Sequence, residues 1–251
     1  GEKGAVAPLA RPITREVGRL SEAVAAMART LEERADYIRT FASQVSHEFK
    51  APLTAIQGAV ELLRDHAATM SAEERDRFLE NLAADAQRLE RLVRRLLELA
   101  RADVAEPGDE RADLAAVLAA IAERHRRLGI DVRLALAPGL GTVAMGEETL
   151  DTILSNLLDN ARQHGGQGIA VTIRAARDGA RASLRVEDDG PGVSPGNAAR
   201  VFDPFFTTAR DRGGTGLGLA IVRALIAAHG GTIALVPSAR GAAFQIGLPV
   251  R

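Results

Sequence analysis

The chain has 251 residues, enough for one large or two ordinary domains, and 46% of them are hydrophobic, so a sizeable core can form. The net charge of -1 gives no basic excess for a nucleic-acid surface, and the lack of cysteine excludes disulfide bonds and thiolate metal sites. No run of about 18 apolar residues occurs, so we expect this chain to make no membrane contact.

The first half, from residue 13 to about 103, is rich in Ala, Leu, Glu and Arg and predicts long helices. Its apolar residues follow the alternating spacing of three and four that is typical of helix bundles and coiled coils. One series is Val17, Leu20, Val24, Met27, Leu31, Ile38, Phe41 and Val45, and the second is Phe78, Leu82, Leu89, Leu92, Leu96 and Leu99.

The segment "DHAATMSAEE" between the two series predicts a loop followed by a helix start. Ser71 is placed to cap the helix, with Glu74 at the reciprocal position of a capping box. The resulting helical hairpin exposes too much apolar surface to be stable alone. Pairing two hairpins in a dimeric four-helix bundle buries that surface. The alternatives are an intramolecular bundle and docking of the hairpin onto the second half of the chain.

The second half follows the linker-like "EPGDE" at 106–110 and alternates between helical and strand-like segments. Residues 113–128, 147–164 and "GLGLAIVRALIAAHGG" predict helices. The segments "DVRLAL", "AVTIRAA", "ASLRVED", "TIALV" and "AFQIGL" alternate in the manner of half-buried strands. Helices on one face of a mixed sheet form an α/β sandwich.

Three segments of this half carry polar or glycine patterns that point to a ligand. Asn156, Asn160 and His164 share one helix face, where amide oxygens suit Mg²⁺, although two solvent-facing amides would give the same pattern. Asp188 begins an Asp-x-Gly-x-Gly pattern after a strand, which fits adenine recognition or an ordinary turn. Gly214, Gly216 and Gly218 lead into a helix, which fits an anion site or a flexible loop. The glycines of the second pattern are Gly190 and Gly192.

Taken together and in order, these segments resemble a sensor histidine protein kinase of two-component signalling, over nearly the whole chain. "SHEFKAPLTAI" is similar to the H box of that family, "NLLDNA" to the N box and "DDGPG" to the G1 box. "VFDPFF" is similar to the F box, "GGTGLGLAI" to the G2 box, and "GAAFQIGLP" to the final strand after its glycine turn.

The resemblance implies a multidomain fold, in which an all-α dimeric four-helix-bundle domain precedes an α/β sandwich of the Bergerat ATP-binding type. On this basis we expect a remnant of a HAMP-like signalling coiled coil at 1–31 and a dimerisation and phosphotransfer domain at 32–105. A linker at 106–111 and a catalytic domain at 112–251 follow. The implied partners are a second copy of the chain and the receiver domain of a response regulator, with no nucleic acid. The chain is expected to be the cytoplasmic portion of a membrane-anchored protein of the bacterial inner membrane.

The resemblance also assigns roles to single residues. His47 matches the phosphoacceptor, since a neutral imidazole is a nucleophile near pH 7, and Glu48 matches its acidic neighbour, which can orient the ring and accept its proton. Asn160 matches the Mg²⁺ ligand and Asp188 the adenine-binding carboxylate. Asn156 lies where related ATPases of this fold place a catalytic Glu. The remaining nucleotide-binding positions are His164, Gly190, Gly192, Gly214, Gly216, Leu217 and Gly218, with residues 193–213 as a mobile lid over ATP.

Pro52 lies one turn after His47, and we interpret it as a bend that lets the catalytic domain reach the histidine; a kink without any switching role is the alternative.

Two positions depart from the family pattern. Ala51 replaces the Thr or Asn that positions water for dephosphorylation of the partner, which predicts weak phosphatase activity. Gln163 replaces a Lys or Arg that touches phosphate, a role that His164 or Arg162 can fill.

Two other functions fit parts of the pattern. A chaperone- or topoisomerase-like ATPase would carry Glu at position 156 and would not need the His47 box. A non-catalytic nucleotide-sensing scaffold would lack His47, Asn160 or Asp188, all of which are present. The histidines outside the boxes, His66, His125 and His229, are predicted to be surface or capping residues.

Overall fold

The computed structural model describes residues 15–66, 68–104, 108–166 and 168–250, so that the first 14 residues of the predicted signalling segment lie outside the described part. The chain divides into two compact units, Gly1–Gln87 and Arg88–Arg251. Each unit is described by itself below. Over the described residues, no helix combines the length and the hydropathy needed to cross a bilayer.

The first unit consists of helix α1, Arg15–His66, and the beginning of helix α2, Ala72–Asp103. The capping box predicted at the start of α2 is confirmed. The Ser71 backbone N–H donates to the Glu74 carboxylate at 2.9 Å, and the Glu74 N–H donates to the Ser71 hydroxyl at 3.2 Å. Helix α1 continues through Pro52, whose side chain is buried.

The predicted apolar seam of α1 lies largely open in the single chain. Leu20, Met27 and Ile38 are each at least 60% exposed. Among the described residues of α1, only Ala25 and Pro52 are buried. A row of large apolar side chains on one helix face is stable in water only when another surface covers it.

The strands of the second unit are β1 Ala112–Asp113, β2 Asp131–Leu136, β3 Thr142–Val143, β4 Ala170–Asp178, β5 Arg181–Asp188, β6 Thr232–Val236 and β7 Ala243–Pro249. Five of them form a sheet with the order β2-β4-β5-β7-β6, in which, over the described residues, only the β2–β4 pair is parallel. The short pair of β1 with β3 lies beside this sheet. The helices are α3 Leu114–Arg127, α4 Glu147–Gly165, α5 Pro195–Ala198 and α6 Gly218–Ala228, with a 3-10 turn at Arg210–Arg212.

Alternate residues of the central strands face the helices and form the core. In β5, Ala182, Leu184 and Val186 are buried, whereas the residues between them are not. They join the buried side chains of α3, α4 and α6 in one hydrophobic cluster. The predicted α/β sandwich, with its helices on one face of a mixed sheet, is confirmed.

One histidine was predicted wrongly. His125 was expected at the surface or at a helix cap, but it is only 3% exposed. Its Nε2 lies 3.4 Å from the Ser155 hydroxyl of α4, because α3 packs against α4 at this point. The polar neighbours of His125 in sequence gave no sign of that packing. His229 does act at a helix end, where its Nδ1 lies 2.8 Å from the Leu225 carbonyl oxygen of α6.

Candidate active site

The polar face predicted for α4 is present and points away from the core cluster. Asn156 is 5% exposed, and its amide nitrogen donates to the Thr152 carbonyl at 2.8 Å. Its Oδ1 accepts a 2.6 Å hydrogen bond from the guanidinium of Arg95, near the end of α2. Asn160 and His164 follow at successive turns and are half-buried. The predicted face therefore exists, but its first amide oxygen is already engaged.

Two cavities meet at this face. The larger has a volume of about 1090 Å³ and is edged by Arg91, Arg94 and Arg95 of α2. The smaller, of about 240 Å³, contains Asp188 in its wall. Asn160 and His164 line both cavities, so one ligand could extend from the smaller cavity across these residues into the larger one.

Asp188 ends β5 with one carboxylate oxygen fixed by the backbone. Its Oδ1 accepts hydrogen bonds from the N–H groups of Gly190, at 2.9 Å, and Ala242, at 3.1 Å. Among the described residues, Oδ2 has no hydrogen-bond donor. Burial raises the pKa of this carboxyl above its ordinary value, against the effect of the two N–H groups. The arrangement leaves one acceptor atom beside the smaller cavity.

The glycine loop before α6 approaches its neighbours too closely for side chains. Gly216 has a φ of +68°, and a Cβ there would lie 2.4 Å from the backbone carbon of Phe205. A Cβ on Gly218 would come within 3.1 Å of the Asn156 amide oxygen. Gly216 and Gly218 line the larger cavity, and Gly192 lines the smaller one. Gly190, Gly214 and the buried Leu217 line neither cavity.

The aromatic segment and the following turn form a further wall of the site and contact α4. The ring of Phe202 contacts that of Phe244 edge-on, with 6.2 Å between centroids, and Phe206 borders both cavities. Gln163 donates to the Arg212 carbonyl at 3.3 Å, and His164 Nδ1 lies 3.3 Å from the Thr208 hydroxyl. Burial, followed by the charge of Arg212, lowers the pKa of His164. The α4 face thus holds the segment predicted to form the lid.

Two family models match the chain in this order. His Kinase A (phospho-acceptor) domain matches residues 37–104. Histidine kinase-, DNA gyrase B-, and HSP90-like ATPase matches residues 145–251. The chain belongs to the sensor histidine kinase family.

Individual kinases agree with this assignment. The probable sensor histidine kinase TcrY of Mycobacterium tuberculosis is 35% identical over 97% of this chain, which spans 54% of TcrY. A solved structure of the mycobacterial sensor histidine kinase MprB is 33% identical, with a TM-score of 0.51, over 57% of this chain and 99% of that one. The histidine kinase ThkA, solved in complex with the response regulator protein TrrA, shares the fold at 23% identity and a TM-score of 0.68, over 89% of this chain and 65% of that one. The chain spans about half the length of the curated relatives it matches.

The phosphoacceptor candidate of this chain lies in the first unit. His47 is exposed on α1, and the neighbouring Glu48 is half-buried. The nucleotide-binding candidates Asn160, His164 and Asp188 all lie in the second unit and surround the two cavities.

The donor set of the site fits Mg²⁺ held jointly with phosphates. The described residues contain no cluster of three or more His, Cys, Asp or Glu side chains that could hold a metal by themselves. Asn160 offers an amide oxygen where the two cavities meet, with the Asp159 carboxylate on the wall of the larger one. Mg²⁺ normally takes one or two protein oxygens and completes its shell with phosphate oxygens and water.

Several contacts of the site were not predicted from the sequence. The Arg95–Asn156 bond joins positions 61 residues apart, and the Ala242 N–H reaches Asp188 across 54 residues. The glycine turn in "GAAFQIGLP" was the only sequence signal near Ala242. No signal marked Arg95, which is one of many arginines on α2.

Proposed function

We propose that this chain is an ATP-dependent protein-histidine autokinase that phosphorylates its own His47 and passes the phosphoryl group to an aspartate of a response regulator. The observation that carries the proposal is the convergence of Asn160, His164 and Asp188 on two joined cavities, in a chain that also presents His47 on an exposed helix face. The family assignment supplies the reaction class.

ATP is the substrate in this reading, and its adenine is assigned to the smaller cavity. The amino group of adenine would donate to Oδ2 of Asp188, since Oδ1 is occupied by two N–H groups. The phosphates would extend past Asn160 toward the glycine loop, where the N-terminus of α6 favours negative charge. Mg²⁺, held by Asn160 together with the phosphates, would neutralise part of their charge. Arg162, which lines the larger cavity, would supply the cation that is missing at Gln163, because the lowered pKa of His164 favours its neutral ring.

In the transfer step, a ring nitrogen of His47 forms a bond to the γ-phosphorus of ATP. The bond between that phosphorus and the oxygen bridging to the β-phosphate breaks, and ADP leaves with the electron pair. Attack makes the imidazole more acidic, and Glu48 is the adjacent group that can orient the ring and accept its proton. The phosphorylated ring then donates the same phosphoryl group to a carboxylate of the receiver domain.

The proposed assembly is a homodimer through α1 and α2. Its support is the open apolar seam of α1, together with the match to the phosphoacceptor domain model. A receiver domain is the proposed second partner, as in the complex of ThkA with TrrA. The domain boundaries given above, the HAMP-like remnant and membrane anchoring of the full-length protein stay predictions.

The side chain at position 51 bears on phosphatase activity. Alanine has no polar group to hold a water molecule near the phosphoryl group of a partner, so we expect weak phosphatase activity. The check is the half-life of a phosphorylated cognate regulator with wild-type kinase and with Ala51→Thr. We expect only the variant to shorten that half-life, and rapid dephosphorylation by the wild type would contradict the assignment.

The decisive experiment is incubation with Mg²⁺ and γ-labelled ATP, comparing wild type with His47→Gln, and with His66→Gln as the matched control. We expect label in wild type and in the control but not in His47→Gln, and we expect it to be lost in acid and kept in base, as for a phosphorylated imidazole. Label that survives His47→Gln would place the phosphoacceptor elsewhere. Absence of label in a wild-type chain that binds ATP would favour a nucleotide-sensing scaffold.

A further inference from the structure

Glu187 and Asp188 are adjacent on β5 and point to opposite faces of the sheet, as successive strand residues do. Asp188 faces the smaller cavity. Glu187 lies on the other face, 21% exposed, where the guanidiniums of Arg174 and Arg185 donate to its carboxylate at 2.7 and 3.1 Å. The two neighbouring acids therefore have separate surroundings.

Both acids hold the same loop, residues 237–242, which joins β6 to β7. On the outer face, the Ser238 hydroxyl lies 2.6 Å from Glu187 Oε1, and Arg185 donates to the Pro237 carbonyl at 3.0 Å while it also binds Glu187. On the cavity side, the Ala242 N–H donates to Asp188 Oδ1, and the Asp188 N–H donates to the Ala242 carbonyl at 3.0 Å. The loop is thus attached at its beginning to Glu187 and at its end to Asp188.

This loop approaches Asp188 too closely for a side chain at position 241. Gly241 has a φ of +73°, and a Cβ there would lie 1.9 Å from the Asp188 carbonyl oxygen. A Cβ on Gly192, in the next turn, would lie 2.8 Å from the Gly241 carbonyl oxygen. A small shift of the loop would therefore move the Ala242 N–H relative to the carboxylate that it orients.

We propose that Glu187 is a positioning residue for nucleotide recognition: through Ser238 and Arg185 it fixes the 237–242 loop, so that Ala242 holds Oδ1 of Asp188 and directs Oδ2 toward the amino group of adenine. The inference rests on the proposed function, because it assumes that a purine occupies the smaller cavity. It assigns to Glu187 no contact with the ligand and no part in phosphoryl transfer.

The electrostatics of Glu187 agree with a firm attachment. Hydrogen bonds from Arg185, Ser238 and Arg174 lower the pKa of Glu187 to about 2. The side chain is thus an ionised acceptor at neutral pH, and hydrogen bonds to ionised acceptors are shorter and stronger than those between neutral groups. The Ser238 hydroxyl also lies 2.6 Å from the Arg240 carbonyl, and the charged carboxylate is the better acceptor for its single proton.

The test compares binding of ADP and inosine diphosphate by calorimetry, using the whole chain. The two ligands differ at one edge of the purine, where adenine has a 6-amino group and an unprotonated N1 and hypoxanthine has a 6-carbonyl and an N1–H, so their affinity ratio reports whether Oδ2 of Asp188 is aimed at the 6-amino group. The variants are Glu187→Gln and Ser238→Ala. The matched control is Asp178→Asn, an exposed acid-to-amide change at the other end of β4, about 20 Å along the strands from the register of Asp188.

We expect Glu187→Gln and Ser238→Ala to weaken ADP binding about tenfold, the equivalent of one hydrogen bond, with little change for inosine diphosphate. The preference for ADP should fall accordingly, and Asp178→Asn should leave it unchanged. Faster hydrogen exchange of the Ala242 amide should accompany the loss. A preference equal to that of wild type in both variants, or an equal loss for both nucleotides, would overturn the role of Glu187. A wild-type chain without any preference would instead refute adenine recognition by Asp188.

Discussion

Replacing Asp188 by asparagine separates two functions of its side chain, which are the hydrogen bonds to the backbone and the proposed hydrogen bond to the ligand. The amide oxygen of asparagine can still accept from the N–H groups of Gly190 and Ala242, which now lie 2.9 and 3.1 Å from Oδ1. The second atom changes from an acceptor to an NH₂ donor. We therefore expect Asp188→Asn to keep the fold and to lose only the interaction with the ligand.

The size of the loss follows from that single interaction. A hydrogen bond to a charged group contributes about 1.5–3 kcal/mol, which corresponds to a loss of about 10- to 150-fold in affinity. The new NH₂ group would also face the amino group of adenine, donor against donor. The 6-carbonyl of inosine diphosphate would accept from the same NH₂ group, so we expect the preference between the two diphosphates to reverse.

The assay is calorimetric titration of wild type, Asp188→Asn and Asp178→Asn with each nucleotide. Asp178 is the matched control, because it is an exposed acid at the far end of β4, paired in register with Arg181 and not with Asp188. Thermal unfolding of each variant checks that the fold is kept. If Asp188→Asn bound ADP as tightly as wild type and kept the same preference, the placement of adenine against Oδ2 would be refuted.

Two other predictions concern backbone strain and pH. Gly216→Ala should lower the unfolding midpoint and abolish ADP binding, because a left-handed alanine costs about 1–2 kcal/mol and its Cβ would collide with the backbone of Phe205. Gly196→Ala, where a Cβ would have open space, should change neither the midpoint nor the affinity for ADP. Equal effects of the two substitutions would contradict the argument from backbone strain. Burial lowers the pKa of His125, so the unfolded chain binds a proton at a higher pH than the folded one. Stability should therefore be greatest above about pH 6.5 and decrease toward acid by at most about 1.4 kcal/mol per pH unit for this group. His125→Gln should reduce the slope measured by urea unfolding at several pH values. His164→Gln reports the share of the second histidine with a lowered pKa. An unchanged slope in His125→Gln would count against the burial argument.

The sequence predicted those features that depend on local pattern. The period of apolar residues located α1, α2 and the strands of the sheet, and the spacing of Ser71 and Glu74 predicted a reciprocal pair of hydrogen bonds that the structure contains. Helical periodicity placed Asn160 and His164 on one face, and both line the two cavities. Each of these features is determined by neighbours within about one or two turns of helix, or by alternation along one strand.

Features that depend on packing between distant segments could not be predicted in this way. His125 follows a charged stretch of α3, and only the docking of α3 on α4 buries it. Glu187 is one of three consecutive acids, and its attachment to Ser238 follows from the return of the β6–β7 loop across the sheet. One strand residue faces the solvent side and the next faces the cavity, so the acids at 187 and 188 differ in role although they are neighbours in sequence.

The contact between Arg95 and Asn156 gives a physical reason why the residue type at position 156 matters. Asn156 is 5% exposed and accepts from Arg95 at 2.6 Å, while Arg95 also pairs with Glu98 at 3.0 Å. A glutamate at position 156, the residue that the resemblance assigns to related ATPases, would turn this bond into a largely buried ion pair, whose separation leaves an unpaired buried charge. With an amide, separation of the two groups leaves behind only a neutral polar group, at a cost of about 1–3 kcal/mol. With asparagine at position 156, a charged ligand that binds in the larger cavity can therefore break the bond to Arg95 without leaving an unpaired buried charge at that position.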